Sequence, residues 1–149
     1  MKNLMASKIT NHSQERANFA FEKVTEAKVK LKKNATEFKS HVKKVPLMIR
    51  GNGLVAAYAF VHSKAKGGKD KENDYHLILA LSLEWLREKS LISGEMKVNE
   101  ENFTGALAQL DRSAYRLARR ELLSMFTWLK RFADGMIKKE SGKEGEDGK

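Results

Sequence analysis

The chain has 149 residues with a formal charge of +10, 41% apolar residues, one proline, ten glycines and no cysteine. The length and apolar content suit one globular domain with a real core, not a disordered chain. The missing cysteines exclude disulfides, thiolate zinc sites and a cysteine nucleophile, and the excess of Lys and Arg points to a polyanionic partner.

The opening residues, "MKNLMASKIT", lack the apolar run of a secretory signal, and residues 1–12 read as a flexible tail. Residues 13–33 form the first long element. There Ala17, Ala20, Phe21, Val24, Ala27 and Leu31 recur every three or four positions, as on one face of an amphipathic helix. Asn34 interrupts it. A second helix follows, with Phe38, Val42, Val45 and Ile49 as its apolar stripe. Pro46 falls inside that pattern and predicts a kink or restart, because proline lacks the amide donor and its ring clashes with the preceding turn.

The run "IRGNGL" allows three readings: a phosphate-cradling loop, a hairpin turn or a joint between helices. No strand precedes it, no Walker lysine follows, and helical periodicity flanks it on both sides. A joint fits best, with Gly51 or Asn52 left-handed and the next helix starting near Gly53. That helix, 54–65, places Leu54, Ala57, Tyr58, Val61 and Ala65 on one side, with Ala56, Ala57 and Ala59 allowing close approach of a neighbour. Residues 64–74 read as a charged loop. Residues 73–89 form a helix apolar nearly all round at Leu77, Ile78, Leu79, Leu81 and Leu83, as a central buried helix would be.

A second loop, residues 90–100, leads to a short helix at 102–110 and then to a long one capped by Asp111. The core stripe of the long helix is Tyr115, Ala118, Leu122, Met125, Phe126, Leu129, Phe132, Ala133 and Met136. Residues 140–149 bury nothing and read as a second flexible tail. The expected fold is all-α: a single-domain bundle of five or six helices spanning 1–149. The most apolar run, residues 76–86, is well short of the roughly 20 residues a membrane span needs, so a cytoplasmic protein with no membrane partner is expected.

No catalytic motif stands out. His12, His41, His62 and His76 are scattered, each in a different segment, and Glu72 and His76, four apart, could share a helix face. A hydrolase built on that pair is one reading of the chain; a non-enzyme without metal, cofactor or small-molecule substrate is the better supported one. The positive charge is organised instead. Residues 1–50 hold 12 Lys/Arg against 4 Asp/Glu, residues 51–100 hold 7 against 7, and residues 101–149 hold 10 against 8. Lys39, Lys43, Pro46 and Arg50 share a face of the second helix roughly opposite its apolar stripe, with Lys44 alongside. On the last helix Arg112, Arg116, Arg119, Arg120 and Lys130 lie within an arc of about 100°, away from the core stripe, with Glu121 off the arc. Such a row is either a solvated outer face or a phosphate-binding surface, for which the forked guanidinium is suited. Tyr115 and Trp128 could stack on bases, but both fall on or beside the core stripe, so any nucleic-acid contact would be mainly electrostatic.

Two stretches carry a resemblance. "VKKVPLMIRGNGLVAAYAFVHSKA" and "YRLARRELLSMFTWLKRFADG" resemble the small helical subunit of the type III-B CRISPR effector, the Cmr complex. In the first, Pro46, Ile49, Arg50, Asn52, Gly53, Leu54, Phe60, Ser63 and Lys64 occupy the family's pattern; in the second, Tyr115, Arg116 and residues 128–133 do. With the central helix, the likeness covers most of residues 17–133. It implies a non-catalytic subunit, present in several copies stacked in a minor filament, with other Cmr subunits, guide RNA and target RNA as partners. Cleavage and nucleotide-cyclising chemistry would then belong to other subunits. On charge and position, the candidate RNA contacts are Lys39, Lys43, Lys44, Arg50, Lys64, Arg112, Arg116, Arg119 and Arg120. Pro46, Ile49, Leu54 and Phe60 are expected to be structural. The alternative is a free-standing helical nucleic-acid-binding regulator or adaptor; residues 54–65 are too apolar to serve it as a recognition helix.

Overall fold

Apolar residues at helical spacing must be buried against a partner helix, and the computed structural model shows how the six helices among the described residues satisfy one another. It describes residues 11–67, 73–92 and 97–138. Both expected tails lie outside the described residues, apart from Asn11 and His12, as do Glu72 and the middles of both loops. The helices are α1 (His12–Leu31), α2 (Ala35–Asn52), α3 (Leu54–Gly67), α4 (Asp74–Glu88), α5 (Phe103–Ala108) and α6 (Arg112–Met136). No strand occurs among the described residues, so the fold class is all-α, as expected.

Three of the long helices start at a side-chain cap. Asn11 and Gln14 form a capping box, each side chain accepting the other's backbone N–H at 2.8 and 3.0 Å. Asn73 caps α4 by accepting from the His76 amide, and Asp111 caps α6 by accepting from the Ala114 amide, both at 2.8 Å. Between α1 and α2 the chain makes a 3-10 turn, Lys32–Asn34, where the expected interruption falls.

The core follows the stripes closely. Phe38, Val42, Val45 and Ile49 of α2 are fully buried, as are Leu54, Tyr58 and Val61 of α3. α4 is central, touching α1, α2, α3 and α6, and buries Ile78, Leu79, Leu81, Leu83, Trp85 and Leu86. The Tyr58 hydroxyl donates to Ser82 Oγ at 2.6 Å, and Ser82 in turn donates to the Ile78 carbonyl. Burial pushes the Tyr58 phenol pKa well up, so it stays a neutral donor.

Three local expectations change. Phe21 is 48% exposed while Phe19 is buried on the Trp85 ring at 4.8 Å. The two phenylalanines flank the Ala20–Val24–Ala27–Leu31 stripe on opposite sides: Phe19 is buried against α4, while Phe21 meets Phe132 of α6 edge-on at 5.5 Å. Pro46 causes no restart: α2 runs unbroken from Ala35 to Asn52, with Pro46 buried and not displayed on an outer face. Of the three alanines in α3, Ala57 is buried but Ala56 and Ala59 are exposed.

The α2–α3 joint is real, but its unusual residue is Gly53, with φ 96° and ψ 163°. Gly51 and Asn52 remain helical. Gly53 donates its amide to Ile49 O, and the next amide, Leu54 N–H, donates to the Tyr115 hydroxyl of α6 at 2.9 Å. Lys39 closes the other end of α6, its Nζ donating to the Ile137 carbonyl at 3.0 Å. These pairings run in opposite directions along the two chains, so α2 and α6 are antiparallel.

α1 is fixed to α6 by an ion pair. Arg16 forks onto Glu121 through Nε (3.2 Å) and Nη2 (3.0 Å), and Trp85 of α4 adds an indole N–H at 3.0 Å. Burial alone would raise the Glu121 pKa, but the Arg16 and Trp85 hydrogen bonds reverse this and hold it below its ordinary 4.5.

Two predictions test this frame. Gly51→Ala should raise stability by about 0.5–1 kcal/mol, because Gly51 is helical with open space around its Cα. Gly53→Ala should lower stability by about 1–3 kcal/mol, because its φ disfavours any side chain. Urea denaturation of the two variants should therefore shift in opposite directions. For Glu121 the folded pKa lies below the unfolded one, so its contribution is present above pH 4.5 and disappears as pH falls through the folded value. Wild type should lose stability across that acid window more steeply than Glu121→Gln, with Trp85 fluorescence following the transition.

Candidate nucleic-acid interface

Antiparallel packing of α2 on α6 brings basic side chains far apart in sequence to one surface. Lys43, Leu47 and Arg50 of α2 face Thr127, Lys130 and Arg131 of α6 across a groove of about 270 Å³, floored by Pro46 and Phe126. Lys43 is paired with Asp134 at 2.9 Å, both nearly half exposed, so the pair is weak and exchangeable. Arg50 and Lys130 are exposed and have no ion-pair partner among the described residues. Arg131 lies over the Trp128 ring at 5.2 Å. Trp128 is partly buried, stacks on Phe132 at 5.9 Å and packs on the core, as does Tyr115.

The arginine row continues from this groove toward the start of α6. Arg112, Arg116 and Arg120 are exposed and Arg119 is half-buried; none of their side chains has a hydrogen-bond or ion-pair partner among the described residues. Tyr115, between Arg112 and Arg116, holds Leu54, so the row starts beside the joint that ends the Arg50 helix. Glu121, the nearby acid, is directed away to Arg16.

The other candidates separate. Lys44 and Lys64 converge on the half-buried Phe60, with Nζ atoms 5.2 and 5.5 Å from the ring centroid. Phe60 meets the edge of Tyr75, which stacks on His41 at 4.3 Å, and His41 Nδ1 is hydrogen-bonded to buried Asp74. Lys39 is occupied by the Ile137 carbonyl and acts as a helix cap. The structure thus unites Lys43 and Arg50 with Lys130, extends them through the four arginines, and sets Lys44 and Lys64 apart. Sequence reasoning missed Arg131, which falls beside the arginine arc and joins the surface through the groove with α2. It also missed that His62 and His76 line a common hollow with Glu100 and Glu101. Among the described residues no group of three or more His, Asp or Glu side chains is placed to hold a metal ion. None of the described helices is long and apolar enough to cross a membrane.

The sequence profile of the family described as "CRISPR-associated protein (Cas_Cmr5)" matches residues 12–136, from the first residue of α1 to the last of α6. The chain belongs to the Cas_Cmr5 family. It is also similar in structure to a CRISPR-associated Cmr5 family protein from Thermus thermophilus. The two share 25% identity and a TM-score of 0.66 over 87% of this chain and 100% of that one. Membership in the Cas_Cmr5 family makes the chain a subunit of the type III-B Cmr assembly, with other Cmr subunits as partners.

The unpaired arginine row contributes little to folding in this Cmr5-family chain. Arg112→Ala/Arg116→Ala/Arg120→Ala removes no ion pair and relieves two i,i+4 repulsions. Its unfolding free energy should stay within about 0.5 kcal/mol of wild type, read by urea denaturation.

Proposed function

We propose that this Cmr5-family chain is a non-catalytic cytoplasmic subunit that stacks with copies of itself in a minor filament and lays its α2–α6 surface along guide and target RNA in antiviral defence. The carrying observation is the unpaired row Arg112, Arg116, Arg119 and Arg120, continuous with Arg50, Lys43, Lys130 and Arg131. The four arginines have no hydrogen-bond or ion-pair partner among the described residues, and they lie along a 25-residue helix about 37 Å long. A surface of this kind suits a phosphate backbone. Guide–target pairing reads the sequence, so the protein needs only charge and shape. The Lys44–Phe60–Lys64 cluster offers a second, shorter contact on the same principle.

Binding of this type has a definite salt signature. Neutralising about four phosphates gives a log–log salt slope of roughly 3 to 4. In the assembled complex, Arg112→Glu/Arg116→Glu should weaken target RNA binding by at least about tenfold and flatten that slope by roughly 2, while the subunit remains folded and incorporated. Filter binding across a salt series measures both. Unchanged RNA binding together with lost incorporation would reassign the row to contacts with a neighbouring subunit.

A further inference from the structure

A second basic site lies at the opposite end of α6 from Arg112. Lys28 from the last turn of α1, Lys32 and Lys33 from the 3-10 turn and Lys138 beyond α6 surround a cleft of about 360 Å³. The half-buried Met136 and the buried Ile137 give it an apolar floor. No carboxylate among the described residues lines the cleft, and none of the four lysine side chains has a hydrogen-bond or ion-pair partner among them. Lysines past a helix end do offset its carbonyl dipole, but that effect fades within one turn and does not require four of them around one hollow.

The backbone supplies a separate observation. Lys32 sits at φ 53°, ψ −119°, a conformation in which glycine is favoured and a side chain is strained. A long cationic side chain is kept there at a cost in folding, and it lines the cleft. We infer that the cleft binds a nucleotide bearing a chain of phosphates, either free or as the phosphorylated end of an RNA strand. The four ammonium groups would meet the phosphates as point charges, and the Met136–Ile137 floor would take the base. This site goes beyond the α2–α6 surface and does not depend on it, so either can fail alone.

The test is calorimetric titration of the full 149-residue chain with ADP, adenosine, pyrophosphate and a ten-nucleotide RNA carrying either a 5′-triphosphate or a 5′-hydroxyl. Lys32→Gly should weaken binding by about tenfold, roughly the loss of one charge-assisted contact, while the thermal midpoint holds or rises because strain is relieved. Lys28→Glu/Lys33→Glu should abolish binding. Tight ADP binding with no preference between RNA ends identifies a free nucleotide, and preference for the triphosphate end over ADP identifies an RNA terminus. Adenosine binding as well as ADP, pyrophosphate binding as tightly as ADP, binding unaffected by both variants, or no binding of any phosphate-bearing probe would overturn the assignment.

Discussion

The hydrogen bond from Leu54 N–H to the Tyr115 hydroxyl holds together what the rest of the molecule displays. A chain leaving α2 must reverse within one residue to start α3, and Gly53 makes this possible at φ 96°. The first amides of a helix lack intrahelical partners, and Tyr115 supplies one from α6. The bond therefore fixes three helices at once. Lys39 closes the far end of the same antiparallel pair by capping α6 at Ile137. Between these two ties lie Lys43, Arg50 and Lys130, whose proximity follows from the register the ties impose.

Charge is divided by the same architecture. Where α1 meets α4 and α6, acids and bases are matched: Arg16 with Glu121, Lys23 with Glu84 and Lys89 with Glu15. Lys89 beside Glu15 holds that carboxyl below its ordinary range, and Lys30 does the same for Glu26. With these bases committed, cations without an ion-pair partner among the described residues include Arg50, Lys130 and the arginine row of α6, and the lysines around the end cleft. A net charge of +10 says only that an anion is welcome. The pairing of the acids elsewhere decides where it can land.

Much of the core was legible because burial in a helical bundle leaves a periodic trace. Phe38–Val42–Val45–Ile49 and Leu54–Ala57–Tyr58–Val61–Ala65 were read directly from spacing, and every member is buried. The misreadings occur where periodicity is silent. Phe19 and Phe21 are equally good flanks of one stripe, and only the position of α4 separates them. Pro46 violates a local rule within a helix whose stripe is otherwise fully buried, so tertiary packing carries α2 across it. The glycine pair was recognised as a joint, but which glycine bends depends on where Tyr115 can reach.

The sequence by itself determined the all-α class, the helix starts at Asn73 and Asp111, the arginine arc on α6 and the family likeness. These are local properties, set by capping side chains and by residues three and four apart. Only the tertiary structure decided which basic groups act together. Lys43 meets Lys130, Lys44 meets Lys64, and Lys28 meets Lys138 because packing brings distant segments into contact. It also decided which cations remain unpaired, since an ion pair such as Arg16 with Glu121 joins residues that no local spacing connects.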